Sequence, residues 1–424
     1  MNTASFVLKG LIVDTPEIGS LRAVDGYAVC ENGKCAGVYE TLPHAYASLP
    51  LHDYSGMLII PGMSDLHLHA SQYSYCGTAM DLELLEWLQN YTYPEESRFA
   101  DPAHARTYYA AFTQDLLHTT TTRAAIFATI HTDASLELMR QLHEAGLGAY
   151  VGKLNMDRNC PDYYSELTPE NGEAETRRWL EACKKLNYPR VFPILTPRFT
   201  PSVTDAYMEK IGNLSREYGV AMQSHLSENL SEIEWVKALC PDAKNYADTY
   251  ARYGLFGGDC KTIMAHCIYC PAEEDELMKR NHVFIAHCPT SNENVIAGIS
   301  PAARYLRSGY EIGLGSDVAG GHTLDLLTVM ASAVQVSKLR WRYVDQSEKP
   351  LTMLEALYMA TAGGGRFFGK VGLFEKDYAF DAVVLDDGAL RNLRAFSPEV
   401  RIERCAYLGR TVVKAKFVDG IQVL

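Results

Sequence analysis

The sequence predicts an α/β fold, a (β/α)8 TIM-type barrel with a small β-sandwich built from both chain ends. Three observations carry this reading. Eight apolar stretches alternate with amphipathic helical ones between residues 57 and 317, polar residues collect at the C-terminal ends of those stretches, and both ends of the 424-residue chain read as short strands. Strands alternating with helices give a parallel sheet, whose buried strands are nearly continuous apolar runs. A doubly wound open sheet is the structural alternative. Eight strands with so many polar C-terminal ends favour closure.

Residues 1–56 read as short strands with hairpin turns. The clearest is AVCENGKCAGV, with Asn32-Gly33 between two alternating runs. From residue 57 the expected strands are 57–69, 121–130, 146–156, 190–197, 219–226, 261–267, 282–289 and 310–317, with helical stretches such as 134–146 and 175–187 between them. After about residue 377 short strands return in FDAVVLDDG and RTVVKAKFVDGIQVL. The domains are therefore expected as a barrel over 57–377 and a composite β-sandwich of 1–56 with 378–424.

Composition narrows the function classes. There are 39 basic against 52 acidic residues, a net charge of −13, and no basic run, so binding to a nucleic-acid backbone has little support. A free nucleobase carries no phosphate and stays open as a ligand. The start of the chain does not read as a signal peptide, and no run approaches the roughly 20 apolar residues of a membrane helix. The eleven cysteines are scattered and odd in number, which is read as reduced thiols in a cytoplasm. Cys267 and Cys270 form a CxxC with no second pair to complete a zinc set, so core packing is the reading adopted.

In such a barrel the active site lies at the C-terminal strand ends. Those ends carry His67 and His69, then Arg198, His225, His266, His287 and Asp317. Residues two apart on a strand share a face, so His67 and His69 can reach one metal without bending the chain. An HxH alone fits many proteins. Five histidines and an aspartate converging on one barrel mouth suit Zn²⁺ or Fe²⁺ with a position left open for water.

The segments PGMSDLHLH, QSHLSE, MAHC and GLGSD resemble the metal-dependent amidohydrolase superfamily. HASQYSYCGTAMDLELLEWLQNYTYPEESRF, FATIHTD, TPRF, QSHLSEN, AHCPTSN and GLGSDVAGG resemble, in order, segments of its guanine deaminase family. The resemblance spans about 57–377. It implies one zinc (Fe²⁺ as the alternative) held by His67, His69, His225 and Asp317, with His266 beside the attacking water or the developing oxyanion. Glu228 would be the proton shuttle, and Asp317 a second proton acceptor. Purine contacts would fall on Gln72 and Arg198, with Ser71 and Phe199 lining the pocket and His69, His225, Glu228 and Asp317 at the reacting end. These types make chemical sense, because Arg offers a rigid fork of donors and Gln both a donor and an acceptor. Trp87, Tyr91 and Tyr93 are candidates to pack over the pocket or in the core.

Further residues sharpen the choice. The fourth expected strand, RVFPILTPRF, has no Lys to bridge two metals, which favours a mononuclear site, and Lys153 on the third strand reads as structural. The H-x-E with P-C-x-x-C of the nucleic-acid-editing zinc deaminases does not occur. GGGRFFG at 363–369 has no strand before it and no Lys-Ser/Thr after it, so it reads as tight helix packing rather than a phosphate cradle. The expected activity is hydrolysis of guanine to xanthine and ammonia, in a homodimer implied by the resemblance. Its alternatives are an aminohydrolase for another purine, a pterin or a triazine, and a silent barrel used for binding.

Overall fold

Asn32 and Gly33 both hold left-handed φ, 52° and 81°, the backbone a two-residue hairpin turn demands. They join β2 (Arg22–Glu31) to β3 (Lys34–Tyr39), while β1 (Phe6–Asp14) pairs antiparallel with β2 and parallel with β4 (Leu51–Pro61). The structure, a computed structural model, describes residues 5–391 and 394–424. Residues 1–4 and 392–393 of the expected composite end domain lie outside that range.

The stretch 57–69, expected as one strand, is two. β4 ends at Pro61, and β5 (Met63–His69) begins past Gly62. A continuous apolar run carries no mark of which sheet each half joins, and here the halves join different ones. A Cβ on Gly62 would stand 2.1 Å from Thr122 Oγ1, so the crossing point admits no side chain.

Seven of the remaining elements follow β5 in order: β6 (Thr121–Phe127), β7 (Gly148–Gly152), β8 (Leu154–Asn155), β9 (Val191–Pro193), β10 (Thr196–Pro197), β11 (Met222–Leu226) and β12 (Thr262–His266). β13 (Phe284–His287) and β14 (Ile312–Leu314) complete the set. The expected third and fourth strands are thus each divided in two. β5-β6-β7-β9 and β11-β12-β13-β14 form two four-stranded parallel sheets, and β8 pairs with β10. Hydrogen bonds join the sheets at both edges. Gln223 N donates to the Leu195 carbonyl at 2.9 Å, and Asp317 N and His69 N donate to the carbonyls of His67 and Val318 at 2.8 and 2.9 Å.

Helices fall where the amphipathic stretches predict, including Thr132–Glu144 and Pro169–Leu186. The Gly-rich segment packs as read, since a Cβ on Gly363 would lie 2.6 Å from the Ile312 carbonyl oxygen of β14. At the C-terminal end, β15 (Ala382–Asp386), β16 (Val412–Val418) and β17 (Ile421–Gln422) join β1–β4 in one seven-stranded sheet, so both chain ends do meet. Between β15 and β16 runs an unexpected helix, Pro398–Leu408, capped by the Ser397 hydroxyl and stopped at Gly409 with φ 58°. Arg123 of β6 ties the parallel strands to the end sheet, donating to Asp381 Oδ2 and Asp419 Oδ1, each at 2.7 Å. Among the described residues no helix is long and apolar enough to cross a membrane.

Candidate active site

The C-terminal strand ends are built to turn side chains inward. Asp65, buried within β5, accepts from His67 N at 3.2 Å and Ser316 N at 3.0 Å, which locks β5 against the segment carrying Asp317. Burial pushes the Asp65 carboxyl up to about 6. His67 and His69 project from one face of β5, and Asp317 Oδ1 lies 3.2 and 3.5 Å from their Nε2 atoms. Ser227, His266 and Asp317 hold positive φ of 48°, 73° and 48°, a conformation that costs a non-glycine residue roughly 1–3 kcal/mol and clusters at functional sites.

His225, at the end of β11, donates its Nδ1 proton to the Arg198 carbonyl at 2.6 Å, leaving Nε2 as the lone-pair nitrogen. His266, at the end of β12, likewise uses Nδ1 on Asn292 Oδ1 at 2.8 Å, and its Nε2 stands 3.6 Å from Glu228 Oε1 and 3.7 Å from Asp317 Oδ2. Two donor sets, His67–His69–His225 and His67–His266–Asp317, each converge within 4.8 Å. Both ring nitrogens of His67, Nδ1 of His69 and Nε2 of His266 are buried without a hydrogen-bond partner. Burial and then the His67 charge push His69 and His225 well below the usual histidine range. They stand as neutral imidazoles, the form a metal takes. Burial raises the Asp317 carboxyl, but the neighbouring His67 and then His266 outweigh it and hold it below the usual carboxylate range. The residues present fit a divalent metal.

Glu228 follows β11 just before the helix Leu230–Leu239 and is buried. Burial first, then the charges of Glu232 and Asp317, push its carboxyl well above the usual carboxylate range, which favours its protonated form. Glu232 accepts from the backbone N–H groups of Glu228 and Asn229 and from Tyr246 at 2.6 Å, and so pins the loop that aims Glu228.

Glu228, His266, Asp317, His69 and His225 share one cavity with Gln72, Arg198 and Phe199, lined also by Leu84, Trp87 and Leu88. That brings most of the expected residues together. Ser71 is not among the side chains lining it, because its hydroxyl donates to the Ala128 carbonyl at 2.7 Å behind Gln72. Tyr93 is buried in the core and stacks under Arg198 with its ring centre 5.4 Å from the guanidinium carbon, whereas Tyr91 is half-buried and packs against the core. Lys153 forms a buried ion pair with Glu166, the structural role expected of it. His131 lines a different cleft. His287 is buried beside the site with neither ring nitrogen bonded, and burial, then His266, push it down to about 3.

The sequence reading missed Glu96, which bridges Gln72 and Arg198, as well as Glu232 and Asn292. No local pattern separates Glu96 from Glu95 beside it, yet Glu95 pairs with exposed Arg98 while Glu96 is buried. Glu232 carried a readable signal, as the acidic residue of a capping box with Asn229.

Residues 58–421 match the amidohydrolase family. The chain is 39% identical over 337 residues to the guanine deaminase of Dictyostelium discoideum, covering 79% of this chain and 74% of that one. It is 40% identical over 336 residues to that of Mus musculus, covering 78% and 73%. The crystal structure of guanine deaminase from C. acetobutylicum with guanine bound in the active site is 43% identical, with a TM-score of 0.95 over 99% of this chain and 100% of that chain. With likeness along nearly the whole length, the chain belongs to the amidohydrolase family, and within it to the guanine deaminases.

Proposed function

We propose that this site hydrolyses guanine to xanthine and ammonia, with Glu228 moving the protons. The observation that carries the reading is a buried Glu228 in one cavity with residues of a metal-ligating cluster and with Arg198 and Gln72. A divalent ion such as zinc suits the donors, since Asp317 Oδ1 lies 3.2 and 3.5 Å from His67 and His69 Nε2 and imidazole nitrogens with a carboxylate are donors zinc takes. Held by His67, His69, His225 and Asp317, zinc would supply a water whose pKa falls from 15.7 to about 7.

The chain's own groups divide the rest. Arg198 and Gln72 orient the base by its O6 and N7 side, and Phe199 and Trp87 exclude solvent. Glu228 gives its proton to ring N3, which makes C2 electrophilic. Asp317 accepts a proton from the water as its oxygen bonds to C2, and His266 Nε2 hydrogen-bonds the oxygen so added. Glu228, now a carboxylate, takes up the proton held by Asp317 and delivers it to the C2 amino group; the C2–N bond breaks, ammonia leaves with its electron pair, and the remaining hydroxyl proton returns to Glu228 as the C2 carbonyl forms. One water is consumed and one ammonia released.

The fold reading that accompanies this is a (β/α)8 barrel over 57–377, supported by the hydrogen bonds that join the two parallel sheets at both edges, and a composite β-sandwich of 1–56 with 378–424, supported by the meeting of both chain ends in one seven-stranded sheet that also takes in residues 57–61 of β4. Cytoplasmic location is carried from the composition, and homodimerisation and action on the free base from the family. A panel of guanine, other aminopurines, a pterin and a triazine, followed by absorbance and ammonia release, tests the substrate. Guanine is expected to be turned over fastest. A pterin or triazine turned over faster contradicts the assignment.

A further inference from the structure

Glu96 lies in the short helix Tyr93–Ser97, fully buried, and takes no part in the proton transfers. One of its carboxylate oxygens accepts from Gln72 Nε2 at 2.7 Å and the other from Arg198 Nη1 at 2.7 Å. On the opposite side of the same amide, Gln72 Oε1 accepts from Ala319 N at 3.2 Å. A carboxylate accepts and a peptide N–H donates, so these two neighbours dictate which end of the Gln72 amide is nitrogen and which oxygen. A flipped amide would set oxygen against oxygen at Glu96 and N–H against N–H at Ala319 simultaneously. Arg198 is fixed by the same carboxylate and by the face of Tyr93.

Gln72 and Arg198 both line the cavity. Each has one N–H held by Glu96, and each keeps further N–H groups for a ligand. The Glu96 flank of the cavity therefore offers donors, and a base meets them comfortably when that edge carries acceptors. We propose that Glu96 is the positioning residue that sets the substrate class, holding Gln72 and Arg198 so that the site takes a 6-oxo purine and rejects a purine with an amino group at the same position. The proposal rests on the guanine reading above and names what makes that reading selective. A 6-amino group would point N–H at N–H, and a site built to hydrogen-bond one edge discriminates strongly against an analogue that cannot answer it.

The test compares guanine with 2,6-diaminopurine, which keeps the reacting 2-amino group and replaces O6 with NH₂. Glu96→Gln preserves shape, but its single amide oxygen cannot accept from both partners. In the zinc-loaded enzyme we expect the KM for guanine to rise roughly 10- to 100-fold, the loss of hydrogen bonds to a charged group, with kcat changed far less. The guanine to 2,6-diaminopurine ratio of kcat/KM should fall at least about tenfold. Glu96→Asp keeps the charge beside Arg198 and is expected to fall between the two, which also serves if the Gln variant does not fold. A wild-type KM and ratio in these variants overturns the proposal, as does a loss confined to kcat with the ratio unmoved. Wild-type enzyme that leaves guanine untouched sinks the activity reading instead. In that case calorimetric affinities for the two bases give the same ratio and keep the role of Glu96 measurable.

Discussion

Two buried polar networks occupy opposite ends of the parallel strands, and they are finished to different degrees. At the N-terminal end, Arg123 donates Nε and Nη2 to Asp381 and Nη2 to Asp419, while Lys416 Nζ reaches the carbonyls of Leu116 and Thr121 at 3.1 and 2.8 Å. At the C-terminal end, nitrogens of His67, His69, His266 and His287 are buried with no hydrogen-bond partner. A buried polar group left unpaired costs about 1–3 kcal/mol. A network whose groups answer one another joins two parts of a fold. A set of imidazoles and a carboxylate whose donor atoms converge within 4.8 Å, with nitrogens left unanswered, is a site prepared for a cation.

The comparison breaks most visibly under substitution. Glu228→Gln should leave metal content and stability near wild type yet lower turnover of guanine by about 10²–10⁴-fold, the usual worth of a positioned acid–base group. Steady-state kinetics beside metal analysis reads this, and near wild-type turnover would remove Glu228 from the role assigned. Arg123→Met should do the converse. It strands buried Asp381 and is expected to cost about 3–5 kcal/mol in denaturant unfolding, with kcat of the folded enzyme unchanged. A loss under about 1 kcal/mol would show that this junction holds the end sheet less firmly than its geometry implies.

Metal dependence separates the two ends next. An ion that binds the folded chain at 100 times its Kd adds about 2.7 kcal/mol, so chelation should lower the melting temperature of the wild type. His67→Ala should abolish that response, and Arg123→Met should melt lower while keeping it. Equal responses in both variants would mean that the ion sits elsewhere.

Proton uptake gives the smallest and most local contrast. Burial holds the Lys416 ammonium well below its ordinary value of 10.5, so between its folded value and 10.5 the folded chain loses a proton that the unfolded chain keeps. The unfolded state then binds more protons, and stability rises with pH from the folded pKa up to about 10.5, by about 1.4 kcal/mol per unit. Unfolding free energies measured up to about pH 10 should rise with pH in the wild type more steeply than in Lys416→Met. Parallel slopes would place a charged ammonium in the folded junction.

These two ends were not equally legible in the sequence. The active end was, because chemistry demands rare residue types at strand ends: His67, His69, His225, His266 and Asp317 stand out against apolar runs. What was hidden there depends on burial that local sequence does not encode, as with Glu96 beside the more exposed Glu95. The junction was hidden almost entirely. Arg123, Asp381 and Asp419 lie far apart along the chain and look like surface charges until the fold pairs them. The break at Gly62 was concealed because both halves of 57–69 are apolar, and a period-based reading does not say which partner each half takes. The helix Pro398–Leu408 had ordinary start and stop signals in Ser397, Pro398 and Gly409, and the strands on either side drew the reading away from them.

The central claim is that the unanswered nitrogens and Glu228 together form a guanine-hydrolysing centre. It is tested most directly by stripping the chain of metal, restoring one zinc per chain, and adding guanine. The account predicts no reaction in the stripped protein and, once zinc is restored, xanthine with one ammonia for each guanine consumed. A chain that holds its zinc and leaves guanine unchanged would contradict it.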